Sequence, residues 1–424
     1  MNRESHDGTR VASSRSGDSV LSGWVVVLSP RQNRSHPPAT PAEGFERSLQ
    51  RIRAKYKLPG LAAAVVRGDK LAAMGVTGVR RHGAPDEIEP DDRFHIASCT
   101  KSMTATLAAV AVHNGQLEWT TSIADGLPAL ADKVRPEYRA ATLEQLLAHE
   151  AKMPAYTQFS LQRGEQLKAL KGTPTEQRLA FLAEALGTEK PNTGSGNAAY
   201  SNLGYTAAGA LVERATGTPW EELVRRELAR ALGMKSLGFG YPATAETCCS
   251  TPEGVVPAAS LGFGYPATAE TPDQPRGHSE SGGHVVELPL DESRQLAVCL
   301  WPAGAVHCSI GDLALYAADH LNGLRGRPAL LPQATYQRLH RTHGGGEDGF
   351  TLGWGVRKDK RWGVTHFGAG SGGWFFVRIE IVPEHDAAVV AASNSGQAAA
   401  ATKELCTDLV EEFAAEKQLR RDAR

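Results

Sequence analysis

The sequence predicts an α+β fold: one central antiparallel sheet flanked by helices, assembled from both chain ends, with an all-helical lobe inserted between them. Three observations carry this. Strand-like runs fall at residues 61–77 and again at 350–392. Between about residues 98 and 235, apolar side chains recur mostly at helical spacing, punctuated by Pro128, Pro136, Pro154 and Pro174. The chain then closes on a helix with Leu405, Leu409, Val410 and Phe413 along one side. An apolar sheet face needs a covering layer, and both ends supply strands and a helix.

Taken in order, residues 1–42 form a leader rich in Ser, Arg, Asp, Asn and Pro, for which disorder is expected. Its apolar patch Val20–Leu28 has the length of a signal-peptide core. The patch lies late, behind Glu4, Asp7 and Asp18, and no small-residue cleavage site closely follows it. The folded domain is expected over 43–424, with a sheet lobe at about 43–97 and 300–424 and a helical lobe at about 98–235. Phe45, Leu49, Ile52 and Tyr56 mark a first helix, and Gly68-Asp69 turns strand Leu61–Arg67 into strand Leu71–Thr77. Helices are read through Leu143-Leu146-Leu147, through Leu179-Leu182-Leu186, from Thr206, and over Leu223–Leu232. Ser236–Thr247 recurs letter for letter as Ser260–Thr271, a loop-rich duplicated insert over about 236–275. Two Gly- and Pro-rich copies do not make a solenoid, so one copy is expected to pack and the other to be an exposed loop. A helix opens at Ser309–Leu313, and strands are read over Phe350–Val356, Gly363–Phe367, Trp374–Ile381 and Ala387–Ala392.

Composition narrows the function. With 22% charged residues and a net charge of −1, the chain offers no basic stripe for nucleic acid or anionic membrane. No apolar run reaches the roughly 18–20 residues of a membrane span. Six cysteines show no CxxC pairing and no metal-ligand spacing, so free thiols are expected.

Chemistry concentrates in three short stretches. In Phe94–Ala105 an extended approach delivers Ser98, and Met103, Leu107, Val110 and Ala111 then follow at helical spacing. Ser98 and Lys101 are i and i+3 on this helix, with β-carbons roughly 5–6 Å apart. A serine hydroxyl needs a neighbour to take its proton, and desolvation with the helix dipole favours a neutral lysine there. The backbone N–H of Ser98 at the helix start suits an oxyanion. In Tyr200-Ser201-Asn202, the outer two side chains point the same way if the piece is extended. A phenol there can relay a proton and an amide can hold an amine or a carbonyl. In His366-Phe367-Gly368-Ala369, a histidine ends a strand just before Gly370-Ser371-Gly372-Gly373.

In this order the three stretches resemble the serine β-lactamase and penicillin-binding-protein superfamily. The likeness is to its class C β-lactamase-related branch, with S-x-x-K, then Y-x-N, then K-T-G or H-x-G on a strand. It spans about residues 43–415. It includes Leu146-Leu147-Ala148-His149 with Pro154, Pro302-Ala303-Gly304 and Leu352-Gly353-Trp354-Gly355. The resemblance implies Ser98 as acylated nucleophile, Lys101 as proton acceptor, Tyr200 as relay, Asn202 as holder of the polar network, and His366 where relatives carry lysine or histidine. It implies an oxyanion hole at the Ser98 and Ala369 N–H groups and substrate contacts at Phe367 and Gly368. No cofactor or metal is implied, and the expected partner is a small ester, amide or peptide. Phe367 removes the hydroxyl of K-T-G and His366 is not a permanent cation, which disfavours a substrate carboxylate. An esterase or amidase is therefore expected ahead of a β-lactamase or DD-peptidase, and the alternative is a catalytically silent binding module. Glu150-Ala151-Lys152 departs from the small residue and glycine usual before the proline. The family's habit points to the cell envelope, while the leader leaves a cytoplasmic location open.

Two rivals fail on pattern. Ala369–Gly373 imitates a nucleophile elbow, but a strand follows it where a helix is required. Fourteen histidines include no H-E-x-x-H.

Overall fold

The computed structural model describes residues 41–158, 160–192, 199–239, 274–281, 284–288, 296–343, 346 and 348–422. The expected leader, but for its last two residues, and the second repeat copy lie outside these residues. Of the first copy, Ser236–Phe239 is described, with Leu237 and Phe239 buried.

Seven strands form one antiparallel sheet: β1 (Gly60–Arg67), β2 (Lys70–Gly78), β3 (Gly349–Phe350), β4 (Gly355–Asp359), β5 (Gly363–Ser371), β6 (Phe376–Val382) and β7 (Ala387–Ser393). Their order is β2-β1-β7-β6-β5-β4-β3, so β1 from the chain start pairs with β7 from its end, Leu61 opposite Ser393. The unbroken apolar run of β1 follows from burial on both faces. Leu61, Ala63 and Val65 pack into one core cluster, and Ala62, Ala64 and Val66 into the other. Helix α1 (Pro41–Lys55) and the closing helix α5 (Ala399–Asp422) cover the first face, joined by Lys55–Glu404. Against the second face lie α2 (Thr100–His113), the helical block with α3 (Asn202–Thr216), and α4 (Ile310–Leu324).

Four elements differ from the sequence reading. Strand β5 runs on from Phe367 to Ser371, because Gly368–Ser371 stay paired with Phe376–Ile379 of β6, so His366 lies inside the strand and not at its end. Helix α3 begins at Asn202, four residues before Thr206, because the Ser201 side chain accepts from the Gly204 N–H as an N-cap. Residues 350–356 are two strands, β3 and β4, broken at Gly353. That residue has φ +89°, and a β-carbon on it would stand 2.7 Å from Ser102 Cα. The Leu223–Leu232 helix is an α-turn, Trp220–Leu223, running into a π-helix, Val224–Arg230.

Arg178, fully buried, donates from Nε to Glu213 (3.0 Å), from Nη1 to Glu221 (3.0 Å) and to the Val298 carbonyl (3.3 Å). It thereby ties α3 to the segment that leads into Pro302-Ala303. Arg178→Met should lower the unfolding free energy by about 3–5 kcal/mol, because two buried carboxylates lose their cation. Urea titration checks this, and an unchanged midpoint would refute it.

Candidate active site

A short strand (Arg93–His95) leads to Ile96, whose N–H donates to Val306 O (2.9 Å). The chain then tightens into a 3₁₀ turn, Ala97–Cys99, before α2. Ser98 sits in that turn, behind Ala97 at φ +45°. A left-handed alanine costs roughly 1–2 kcal/mol, and it persists where the surroundings over-determine it. The surroundings here are explicit. The Thr104 hydroxyl donates to Pro302 O (2.7 Å), and the Val306 N–H donates to Thr100 Oγ1 (3.1 Å). These bonds lock α2 against residues 302–306.

That lock places Ala303 beside Lys101. Lys101 Nζ donates to Ala303 O at 2.8 Å and to Asn202 Oδ1 at 2.7 Å, and lies 3.3 Å from Ser98 Oγ. Burial pushes the Lys101 amine down to about 7. As a neutral amine, its two hydrogens satisfy Asn202 and Ala303 and its lone pair faces the serine hydroxyl. Asn202 is fixed in turn, its Nδ2 donating to Tyr156 O at 2.7 Å. Tyr200 O–H also donates to Ser98 Oγ, at 2.7 Å. Burial pushes this phenol up to about 12, so it stays protonated. Lys101 Nζ also stands 4.7 Å from the Tyr200 ring centre.

A cavity of about 490 Å³ opens on this group, lined among others by Ser98, Asn202, Ala303, Tyr156, Leu161 and Ser371. Four sequence-predicted residues thus converge: Ser98, Lys101, Tyr200 and Asn202. The β5 residues divide. His366 is buried and shares no hydrogen bond with Ser98, Lys101 or Tyr200, and its ring packs edge-on against His340 at 4.7 Å. Burial pushes its imidazole down to about 4, so it is neutral. Phe367 lies under the Arg357 guanidinium (5.1 Å), across Gly355, and the cavity wall beyond it is Ser371, Gly372 and Gly373. Gly368 faces Cys99, and Ala369 is exposed opposite Arg378.

The sequence reading missed three contributors. The Ala303 carbonyl and the Gly370 backbone act without side chains; a β-carbon on Gly370 would stand 2.9 Å from Ser98 N and 2.1 Å from Ile96 O. His149 underlies the Tyr200 ring at 4.5 Å. Its only sequence signal was its place in the Leu146–His149 stretch. The odd Glu150-Ala151-Lys152 turn is left-handed at Lys152 (φ +52°), where a glycine would sit without strain. Among the described residues no His, Cys, Asp or Glu group is arranged to hold a metal, and no helix is long and apolar enough to cross a membrane.

The sequence profile of the Beta-lactamase family matches residues 45–406. Esterase EstB of Burkholderia gladioli is 26% identical over 333 residues, 73% of this chain and 76% of that protein. Penicillin-binding protein 4 of Amycolatopsis lactamdurans is 27% identical over 190 residues, 45% of this chain, and the match spans about half (47%) of its own length. A solved class C beta-lactamase shares the fold with a TM-score of 0.65 at 16% identity, covering 89% of this chain and 98% of its own. The profile match over most of the sequence, on a sheet and helical block of the same fold, shows that this chain belongs to the beta-lactamase family, whose members are serine hydrolases.

Proposed function

We propose that this protein hydrolyses an ester or amide through an acyl-enzyme on Ser98, and that esters and amides with uncharged acyl groups are its substrates ahead of β-lactams and D-Ala peptides. The observation that carries this is a serine oxygen lying 3.3 Å from an amine held near 7 and 2.7 Å from a protonated phenol. Lys101 Nζ takes the hydroxyl proton as Oγ bonds to the substrate carbonyl carbon. The carbonyl oxygen becomes an oxyanion, held by the N–H groups of Ser98 and Ala369. The carbonyl re-forms as the bond between its carbon and the leaving group breaks. The departing oxygen or nitrogen takes the Tyr200 proton, and Lys101 returns its proton to the phenolate. Water then attacks the acyl-enzyme by the same route in reverse. Asn202 keeps the amine aimed at Oγ. His366 is packed on His340, outside this hydrogen-bonded group.

The preference for uncharged acyl groups rests on charge. A neutral His366 offers no cation to a substrate carboxylate. Lys168 at the cavity is paired with Glu165 at 3.0 Å. EstB, similar over most of both chains, is named an esterase. A panel of short p-nitrophenyl esters, D-amino-acid amides and nitrocefin tests the reading. Burst kinetics are expected with the esters, lost in Ser98→Ala. Faster turnover of nitrocefin than of the esters would overturn the preference, and no reaction with any of the three would overturn the enzyme.

A further inference from the structure

Tyr200 reaches Ser98 from a segment that is neither strand nor helix, so something must hold it. The Ser201 hydroxyl donates to Pro154 O (2.6 Å) and the Asn202 N–H to Ala155 O (2.8 Å), while three further contacts fall on one residue. The His149 carbonyl accepts from the Ala199 N–H at 2.9 Å, and His149 Nδ1 accepts from the Ser201 N–H at 3.1 Å. Both peptide neighbours of Tyr200 are therefore bonded to the same residue. Its imidazole also lies beneath the phenol, with ring centres 4.5 Å apart at 34°. His149 reaches these three contacts because its backbone is left-handed (φ +63°), directly after the short helix Leu143–Leu147, and Phe350 closes over its outer edge at 5.3 Å.

We propose that His149 is a positioning residue that clamps Tyr200 on both sides and beneath, setting the distance over which the phenol delivers its proton to the leaving group. The geometry fixes the tautomer: Nδ1 accepts from a backbone N–H, so the ring proton is on Nε2. The ring is 5% exposed, and burial pushes the imidazole down to about 3, which keeps that acceptor available through the neutral range. This inference rests on the role given above to Tyr200.

The test separates proton delivery from plain structural support. Good leaving groups such as p-nitrophenolate depart without a proton, and alkoxides do not. His149→Gly keeps the left-handed backbone and removes both the ring and the acceptor. His149→Asn also suits that backbone and restores an oxygen close to the place of Nδ1. With kcat/KM reporting acylation, His149→Gly should lose about 50-fold or more on an ethyl ester and under about 5-fold on the p-nitrophenyl ester of the same acid. His149→Asn should recover the ethyl-ester rate to within about 5-fold, with thermal melts showing all variants folded. Equal losses on the two esters, or no rescue by asparagine, would overturn the clamp. Tyr200→Phe serves as the reference. If it lacks the leaving-group signature, the role of Tyr200 itself falls; if it shows the signature and His149→Gly does not, only the clamp falls.

Discussion

Replacing Lys101 with alanine is expected to slow acylation of Ser98 by about three to four orders of magnitude while leaving the fold intact. The size follows from what the amine does: it is the group next to Oγ that can accept the hydroxyl proton, and a positioned base contributes about 10²–10⁴-fold. Further loss comes from Asn202 Oδ1 and the Ala303 carbonyl, which lose the donor that holds them. The same argument fixes the pH dependence. The base must be neutral, so acylation in the wild-type enzyme should rise with pH through a midpoint of about 7. Tyr200, pushed up to about 12, keeps its proton across that range, so no fall from phenol ionisation is expected near neutrality. Stopped-flow acylation with an activated ester from pH 5 to 9 reads both effects. A flat profile, or a Lys101→Ala rate within tenfold of wild type, would remove Lys101 from the mechanism.

Gly370→Ala should cost about 10²–10³-fold in kcat/KM. A β-carbon there meets Ile96 O at 2.1 Å and the N atoms of Ser98 and Cys99 at 2.9 Å. All three are backbone atoms at the Ser98 turn, which cannot swing aside as a flexible side chain would. Strand β5 or the turn must shift, and a displacement of about 1 Å at a reacting group is worth about 10²-fold. Gly368→Ala is the comparison, because its β-carbon would meet Cys99 Sγ at an ordinary 3.6 Å. A clearly smaller loss is expected there, measured with the same ester and with circular dichroism as a check on folding. Equal losses at the two positions would show that contact with the Ser98 turn is not what requires glycine.

This pair of glycines shows where sequence reading stops. The H-x-G pattern singles out Gly368, yet the residue whose backbone lies against the Ser98 turn is two further along, a fact of strand-to-turn distance that no motif encodes. The same holds for Ala303, whose carbonyl takes a lysine hydrogen with no side chain to announce it. What was legible was local or periodic. Ser98 and Lys101 are one turn apart, so their contact follows from helix geometry alone. Tyr200 and Asn202 are two apart and converge as expected, although Asn202 does so from the first turn of α3, because Ser201 caps the helix earlier than the apolar spacing implied. Alternation placed Phe375, Val377, Ile379 and Ile381 on one buried face. It missed the break at Gly353, because the apolar character of residues 350–356 continues through a glycine at φ +89°, where a β-carbon would meet Ser102. His366 meets the same limit: that it lies on a strand is legible, while the strand runs on to Ser371 rather than ending beside it, and its packing against His340 depends on a helix some twenty-five residues upstream.

The most direct test of the account is a peptide map of the enzyme, acid-quenched during turnover of a short p-nitrophenyl ester and read by mass spectrometry. The acyl mass is expected on the peptide bearing Ser98, and it should be absent from Ser98→Ala. Turnover with no adduct on that peptide, or with the acyl group on another residue, would contradict it.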